Sequence, residues 1–556
     1  MTEHEAGAPT RPFRRGVVEG FYGPPWSHGE RLWMIDLIAS LGMNHYIYAP
    51  KDDPFHRERW RDPYDGNAIK RFGRLADHCA ASAVTFNFAL SPGLSIVYAD
   101  RGDRQKLVDK YLSLAARGVR AFSLFLDDIP PGLREEADKN AFGEFAHAHA
   151  DLANDLRHTL AREIGAEVEL LFCPTEYAGM EPSAYLETLG RELDRRIAVF
   201  WTGPQVVSPT IGRADARAFG ALIGRKPYLW DNYPVNDFAP NRLFVGPLCN
   251  REGGLEKELA GFAANPMNQV RASQVALRTL AAWFNDSVGY VPDAAWETAL
   301  DETFHEAAGA GASRAMKNAF KTVAHLFAPS RLVEETQTPL SVASGAERVS
   351  LAGQLGAAAE RLLDAAGEIE LFREIAGWLR DIVLRCRTVR AAHEADGAAR
   401  EGDPHRARQI AAAAWADRML VGRRHRLSSD DEMNWADARL VPLLREAGDL
   451  IFDAPTAPTA KVIDAGEEIG ASKVIALHAK PWMKPPPRSI PRLWLSTDGQ
   501  TFEPLPVDEE EGLAVARPGS QTFRYIKIDT GRAAAESCGV YLLIHVDRSP
   551  RKEPTP

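Results

Sequence analysis

Nowhere in this sequence do two cysteines stand as a CxxC pair. The five present, Cys79, Cys173, Cys249, Cys386 and Cys538, are scattered and odd in number, which indicates neither a zinc ribbon nor a disulfide framework. An HExxH pattern or comparable ligand set is also missing. His147 and His149 lie two apart in a helical pattern, on different faces, so they do not make a metal pair. No metal and no cofactor is therefore expected. Positive charge is not in excess either. The formal net charge is −10, which disfavours a nucleic-acid partner, since such a protein would carry a basic stripe. No run of about 18 apolar residues occurs, so no membrane span or membrane partner is expected. Met1–Arg15 is polar and charged and lacks an apolar h-region, which reads as a cytoplasmic protein.

What is present is a long, core-forming chain: 45% of its 556 residues are hydrophobic. Short apolar, β-rich runs recur at Gly16–Phe21, His45–Pro50, Thr85–Ser91, Ala121–Asp128, Val168–Pro174, Ala198–Gly203, Pro227–Asn232 and, more weakly, Gly261–Ala264. Most gaps hold a helical pattern, as at Gly29–Leu41, Ala68–Ala81, Arg104–Arg117, Asn140–Glu163 and Arg213–Ile223. Alternation of strand and helix implies parallel strands with right-handed crossovers. Eight repeats of it predict an α/β chain whose first domain, residues 13–290, is a (β/α)8 TIM-like barrel.

From 291 to 453 the composition turns Ala-, Arg-, Glu- and Leu-rich. Glu347–Ala366, Leu371–Ala395 and Arg406–Leu420 predict an α-helical bundle domain. Asp453–Ala460, rich in Pro, Ala and Thr, reads as a linker. The short alternating runs Lys473–His478, Arg492–Ser496, Thr522–Asp529 and Val540–Val546, with a turn at Thr497–Gly499, predict a small C-terminal β-sandwich over 461–547. It could serve as a carbohydrate-binding module or as a structural or dimer-forming one, so a homodimer stays open. The charged, Pro-rich tail 548–556 is read as disordered. Gly309-Ala-Gly311 follows no strand and is a loop, not a phosphate cradle.

The chemistry concentrates where the fourth strand ends, in the adjacent carboxylates Asp127 and Asp128. Two charges closing an apolar run are costly unless a partner, a ligand or a shifted pKa compensates them. The bland alternative is a pair of helix-capping aspartates. A barrel places its site at the C-terminal ends of its strands. There the sequence sets Glu19-Gly20, Lys51-Asp52-Asp53, Ser91-Pro92-Gly93, Asp127-Asp128, Thr175-Glu176-Tyr177, Trp201-Thr202-Gly203, Trp230-Asp231-Asn232 and Asn265.

The segments Gly16-Val-Val-Glu-Gly-Phe-Tyr-Gly-Pro-Pro-Trp26, Tyr48-Ala-Pro-Lys-Asp-Asp-Pro54, Phe125-Leu-Asp-Asp-Ile129, Cys173-Pro-Thr-Glu-Tyr177, Trp201-Thr-Gly-Pro204, Trp230-Asp-Asn232 with Asn236-Asp237, and Asn265-Pro266 occur in that order. Together they resemble glycoside hydrolase family 84, the O-GlcNAcase and bacterial β-N-acetylglucosaminidase family, over roughly residues 13 to 290. The resemblance implies a retaining β-N-acetylglucosaminidase that removes terminal β-linked N-acetylglucosamine, with a glycoprotein or glycan as partner. It implies substrate-assisted catalysis, an exception to the usual two-carboxylate scheme. Asp127 would orient the 2-acetamido group, whose oxygen attacks the anomeric carbon to form an oxazoline. Asp128 would be the acid and base. For the acid to arrive protonated, like charge on its neighbour should raise its pKa. Lys51, Asp237 and Asn265 would hold ring hydroxyls, with Gly20 approaching through its backbone. Asn232 and Tyr177 would lie near the acetamido group, and Trp201 and Trp230 would wall its methyl. Asp52 and Asp53 are read as supporting Lys51 or capping a helix.

Two other readings compete. A barrel could recognise N-acetylglucosamine without cleaving it, as a scaffold, though binding alone does not require the Asp127–Asp128 pair with Tyr177. A lyase or aldolase could use Lys51 as a Schiff base, but neighbouring acids would keep that amine protonated.

Overall fold

The computed structural model describes residues 12–165, 168–309, 311–330, 332, 340, 343–421, 431–446, 450–455, 461–479, 492–510, 513–518, 521–529 and 539–546. The described residues fall into two compact units. The first takes those up to Ala239, Leu243–Gly311 and part of Phe327–Thr336; the second takes Pro240–Arg242, Ala312–Leu326 and those from 337 onward.

In the first unit eight parallel strands close on themselves in chain order. They are β1 (Arg14–Glu19), β2 (His45–Tyr48), β3 (Thr85–Leu90), β4 (Ala121–Phe125), β5 (Glu169–Cys173), β6 (Ala198–Trp201), β7 (Tyr228–Asp231) and β8 (Gly261–Ala264). Closure comes from β1 pairing with β8, Arg14 opposite Gly261 and Val17 opposite Ala264. Around the barrel run α1 (His28–Ser40), α2 (Gly66–Ala81), α3 (Arg101–Ala115), α4 (Glu136–Phe142), α5 (Phe145–Ile164), α6 (Ala184–Glu192), α7 (Arg213–Ile223) and α8 (Val270–Asn285). The eight apolar runs become eight strands because each is covered on both faces, by the barrel interior and by the helices. The interior is filled by Val18, Ile47, Ala89, Phe125, Leu171, Phe200, Tyr228, Trp230 and Ala263, among others.

Four of these helices start where a side chain satisfies a free N–H group. Ser27 and Glu30 form a capping box on α1, and Asp65, Asp100 and Ser183 cap α2, α3 and α6. The single helix predicted over Asn140–Glu163 is two. Gly143 adopts φ +70° and breaks it, giving α4 and α5. A further helix, Pro292–Ala308, also belongs to the first unit.

The second unit contains helices Arg314–Ala324, Gly345–Asp364, Glu370–Glu374, Ala376–Arg400, Pro404–Leu420 and Asp431–Glu446. Alanines 392, 395, 411, 414 and 436 pack with Leu440 and Leu444 in one small-residue core. Its strands pair antiparallel, with Lys461–Ala479 bonded to both Thr522–Asp529 and Gly539–Val546. The predicted linker is partly strand. Asp453–Pro455 ends the strand Leu450–Pro455, which pairs with Gly539–Val546, because a chain rich in Ala and Pro can still lie at a sheet edge. Residues 456–460 and the tail 548–556 lie outside the described residues. The turn at Thr497–Gly499 is present. Asp498 accepts from the N–H groups of Gln500 and Thr501 at 2.8 Å, and Gly499 takes φ +74°. No helix among the described residues is long and apolar enough to cross a membrane.

Candidate active site

The C-terminal ends of the strands bring the predicted residues to one rim. Lys51, three residues past β2, is buried and bonds directly to Asp127, while its Nζ stands 3.7 Å from Asp128 Oδ2. Burial alone would lower the Lys51 pKa, but the two carboxylates outweigh it and hold the amine protonated. Those carboxylates come from the segment just after β4, two strands along the barrel from β2. The neighbouring Asp53 does not support Lys51: it accepts from the hydroxyls of Tyr48 and Tyr64, each at 2.7 Å, and from Phe55 N–H at 2.9 Å.

Asp127 is 4% exposed. One oxygen is tied to Lys51, and the other is buried with no hydrogen-bond partner among the described residues. Asp128 is more open, its side chain 31% exposed. It receives the Tyr22 hydroxyl at 2.8 Å on one oxygen and the Tyr177 hydroxyl at 2.7 Å on the other. Its main chain takes φ +48°, a left-handed conformation that a non-glycine residue adopts only when its surroundings impose it. Burial raises the Asp128 pKa. Lys51 and the hydroxyls of Tyr177 and Tyr22 outweigh burial and hold the carboxyl below the usual carboxylate range. This departs from the expectation that like charge would lift it, because cations and donors surround it more closely than the adjacent aspartate can oppose.

On the opposite side Gly20, Asn265, Asn232 and Trp230 form one hydrogen-bonded chain across β1, β8 and β7. Gly20 N–H donates to Asn265 Oδ1 at 3.3 Å. Asn265 Nδ2 and Trp230 Nε1 both donate to Asn232 Oδ1, at 3.0 and 2.8 Å. Gly20 must be glycine here, since a Cβ would lie 2.3 Å from Trp230 Cζ2. The Trp230 ring rests on Phe125 and Phe200, with centroids 5.3 and 5.6 Å apart. Asp237 accepts from Tyr22 N–H at 2.9 Å, and burial raises its pKa.

Trp201 is not brought to this group. Phe200 points into the barrel, so the next residue of the strand points out. The Trp201 ring stacks on Phe219 of α7 at 5.4 Å and its N–H donates to Gly179 O at 2.9 Å. Two residues that the sequence reading passed over do stand here. Tyr22 bridges Asp128 and Asp237, and Arg57 bonds the Tyr22 hydroxyl. Tyr22 sits inside the Gly16–Trp26 segment, which was the available signal; Arg57 has none beyond its place six residues after Lys51.

Among the described residues no group of histidine, cysteine and acidic side chains could hold a metal ion. His149 lies buried between the hydroxyls of Tyr98 and Tyr185, each at 2.8 Å, so its role is internal.

A closed (β/α)8 barrel with paired carboxylates, a buried cation and amide groups converging at its C-terminal mouth has the layout of a barrel glycoside hydrolase. A family model described as beta-N-acetylglucosaminidase matches residues 15–323. The Protein O-GlcNAcases of Rattus norvegicus and Mus musculus are each 36% identical to the chain over 292 residues, which is 51% of this chain and 31% of theirs. The chain thus spans under a third of those relatives' length in the match. Among solved structures, a mutant of the Thermobaculum terrenum O-GlcNAc hydrolase aligns with TM-score 0.70 and 29% identity, covering 78% of this chain and 96% of that one. CpGH84B aligns with TM-score 0.61 and 27% identity, covering 78% and 77%. The chain belongs to the β-N-acetylglucosaminidase family, glycoside hydrolase family 84.

Proposed function

We propose that the chain is a retaining β-N-acetylglucosaminidase that removes terminal β-linked N-acetylglucosamine, from Ser or Thr of glycoproteins, through an oxazoline formed by the substrate itself. The observation that supports this most directly is the state of Asp127. Lys51 holds one of its oxygens, and the other is buried without a donor. A buried carboxylate oxygen in that condition is a ready acceptor for an amide N–H. Accepting it would orient the acetamido group and make its oxygen a better nucleophile toward the anomeric carbon.

Asp128 then serves the leaving oxygen. In the free site it is held ionised. A sugar seated against Lys51 would share that ammonium with a hydroxyl and bury the carboxyl further; both changes favour its protonated form. It donates the proton as the glycosidic bond breaks and recovers one from water as the oxazoline opens. Gly20, Lys51, Tyr177, Trp230, Asn232, Asp237 and Asn265 line the sugar. Trp201, stacked on α7, would contribute only by backing the strand.

The test compares release of 4-nitrophenol from its β-N-acetylglucosaminide and from its plain β-glucoside. Turnover of the first with none of the second is expected, because only the first carries the internal nucleophile. Comparable hydrolysis of both, or a glycosyl ester trapped on an aspartate, would overturn the reading.

A further inference from the structure

Arg57 has no task in the reaction described above, yet its side chain joins two parts of the site. One Nη donates to the Tyr22 hydroxyl oxygen at 2.8 Å; the other donates to the main-chain carbonyl of Asp128, also at 2.8 Å. The Tyr22 hydroxyl in turn donates to Asp128 Oδ2 at 2.8 Å. Guanidinium, phenol, carboxylate and the carboxylate's own main chain therefore close a ring.

The direction of each bond in that ring is dictated by chemistry. A guanidinium only donates, and it does not give up its proton in proteins. A phenol has a single proton. With Arg57 occupying its lone pair, Tyr22 points that proton at Asp128. The main-chain carbonyl that Arg57 grips belongs to the residue at φ +48°, so the same side chain bears on the backbone conformation that aims the carboxyl. Apart from these bonds, among the described residues only the main chain of Tyr22 is hydrogen-bonded, its N–H donating to Asp237 and its carbonyl accepting from Asn268, and the residue is 43% exposed at the barrel mouth.

We propose that Arg57 is a positioning residue for Asp128, holding the left-handed main chain of that residue with one nitrogen and locking Tyr22 as a donor to its carboxylate with the other. The proposal rests on the assignment of Asp128 as acid and base. The groups facing Asp128 are Lys51 and Arg57 from the segment after β2, Tyr22 from that after β1, Tyr177 and Cys173 from β5 and its loop, Asp237 from the segment after β7, and Asp127 beside it. The Arg57 charge and the Tyr22 hydroxyl both favour the ionised carboxylate, whereas Lys51 and Tyr177 remain in every variant proposed. Removing Arg57 or the Tyr22 hydroxyl therefore raises the proton affinity of Asp128 and loosens its aim.

The experiment measures kcat/KM against pH for Arg57→Ala, Arg57→Lys, Tyr22→Phe and the Arg57→Ala/Tyr22→Phe double variant. Two aryl β-N-acetylglucosaminides are used, a 2,4-dinitrophenyl one that needs little acid assistance and a phenyl one that needs much. In Arg57→Ala and Tyr22→Phe the alkaline limb is expected to move to higher pH. Turnover of the phenyl substrate should fall about 10-fold, as misplacing a general acid does, and that of the dinitrophenyl substrate by less than about 3-fold. Arg57→Lys keeps the charge but not the fork, so it should hold the limb near the wild-type position and still lose phenyl turnover. The double variant should lose less than the sum of the singles, since part of the Arg57 effect runs through the Tyr22 hydroxyl. Equal losses on both substrates with an unmoved limb overturn the proposal, and so does a Tyr22→Phe enzyme matching wild type in both readouts, whether or not Arg57→Ala folds. A wild-type chain that turns over neither substrate overturns the underlying reading; active wild type with indifferent variants overturns this proposal alone.

Discussion

Lys51 bonds Asp127 and stands 3.7 Å from Asp128, so one buried ammonium serves two adjacent carboxylates. Taking Lys51 away leaves two carboxylates uncompensated in a site where charge is expensive. Lys51→Met is therefore expected to cost about 3 kcal/mol of stability, as removal of one partner from a buried pair does, and to lower kcat/KM by two orders of magnitude or so. Thermal melting and steady-state kinetics check this. An active, fully stable Lys51→Met chain would show that the cation is dispensable.

The two aspartates should fail differently. On the proposed mechanism Asp127→Asn removes the acceptor for the acetamido N–H, so turnover should fall about 100-fold or more whatever the leaving group. On the same proposal Asp128→Asn removes the proton donor, so the loss should be severe for a phenyl glycoside and much smaller for a dinitrophenyl one. A leaving-group series on both variants measures the contrast. If both variants lost turnover in parallel across the series, the two roles would not be separate.

Gly20 offers a test that leaves every polar group in place. The Cβ of Gly20→Ala would lie 2.3 Å from the Trp230 ring, which must then shift off Phe125 and drag its bond to Asn232. Overpacking of this kind costs roughly 1–3 kcal/mol, and kcat/KM should drop by about 10-fold or more as the rim is displaced. Wild-type kinetics in Gly20→Ala would mean that this wall of the site tolerates movement.

Three buried histidines predict an acid-labile barrel. Burial pulls His45 down to about 4 and His56 and His149 to about 3. Each stays neutral in the folded chain and takes a proton near pH 6.5 when unfolded. Their contribution is fully present above about pH 6.5 and is lost as the pH falls toward the folded values, each by about 1.4 kcal/mol per pH unit. Melting temperature followed from pH 7 to pH 4 should fall steeply, and less steeply in His149→Gln. A melting temperature flat between pH 7 and 5 would contradict the argument.

Much of the barrel was legible because its strands are covered on both faces and so read as apolar runs, each followed by a helical pattern. The Asp127–Asp128 pair stood out for the opposite reason, as charge where a core strand ends. Trp201 was misplaced because the alternation of side chains along β6 depends on which of Phe200 and Trp201 faces inward, and a run apolar at both positions does not say. Asp53 looked like a neighbour for Lys51 along the chain, but the chain turns it toward Tyr48 and Tyr64. Arg57 carried no local signal, since its partners are 35 and 71 residues away.

The alternation of eight strands with helices and the charge pair where the fourth strand ends were readable in the amino-acid sequence alone, since both are local patterns; most other residues at the mouth were named by resemblance to the family, Trp201 wrongly. Which oxygen of Asp127 is left without a donor, how Asp128 is kept ionised, and that Tyr22 and Arg57 attend it were decided only when distant segments met. Those properties are electrostatic and directional. They depend on distances of a few ångströms between groups that no local pattern relates.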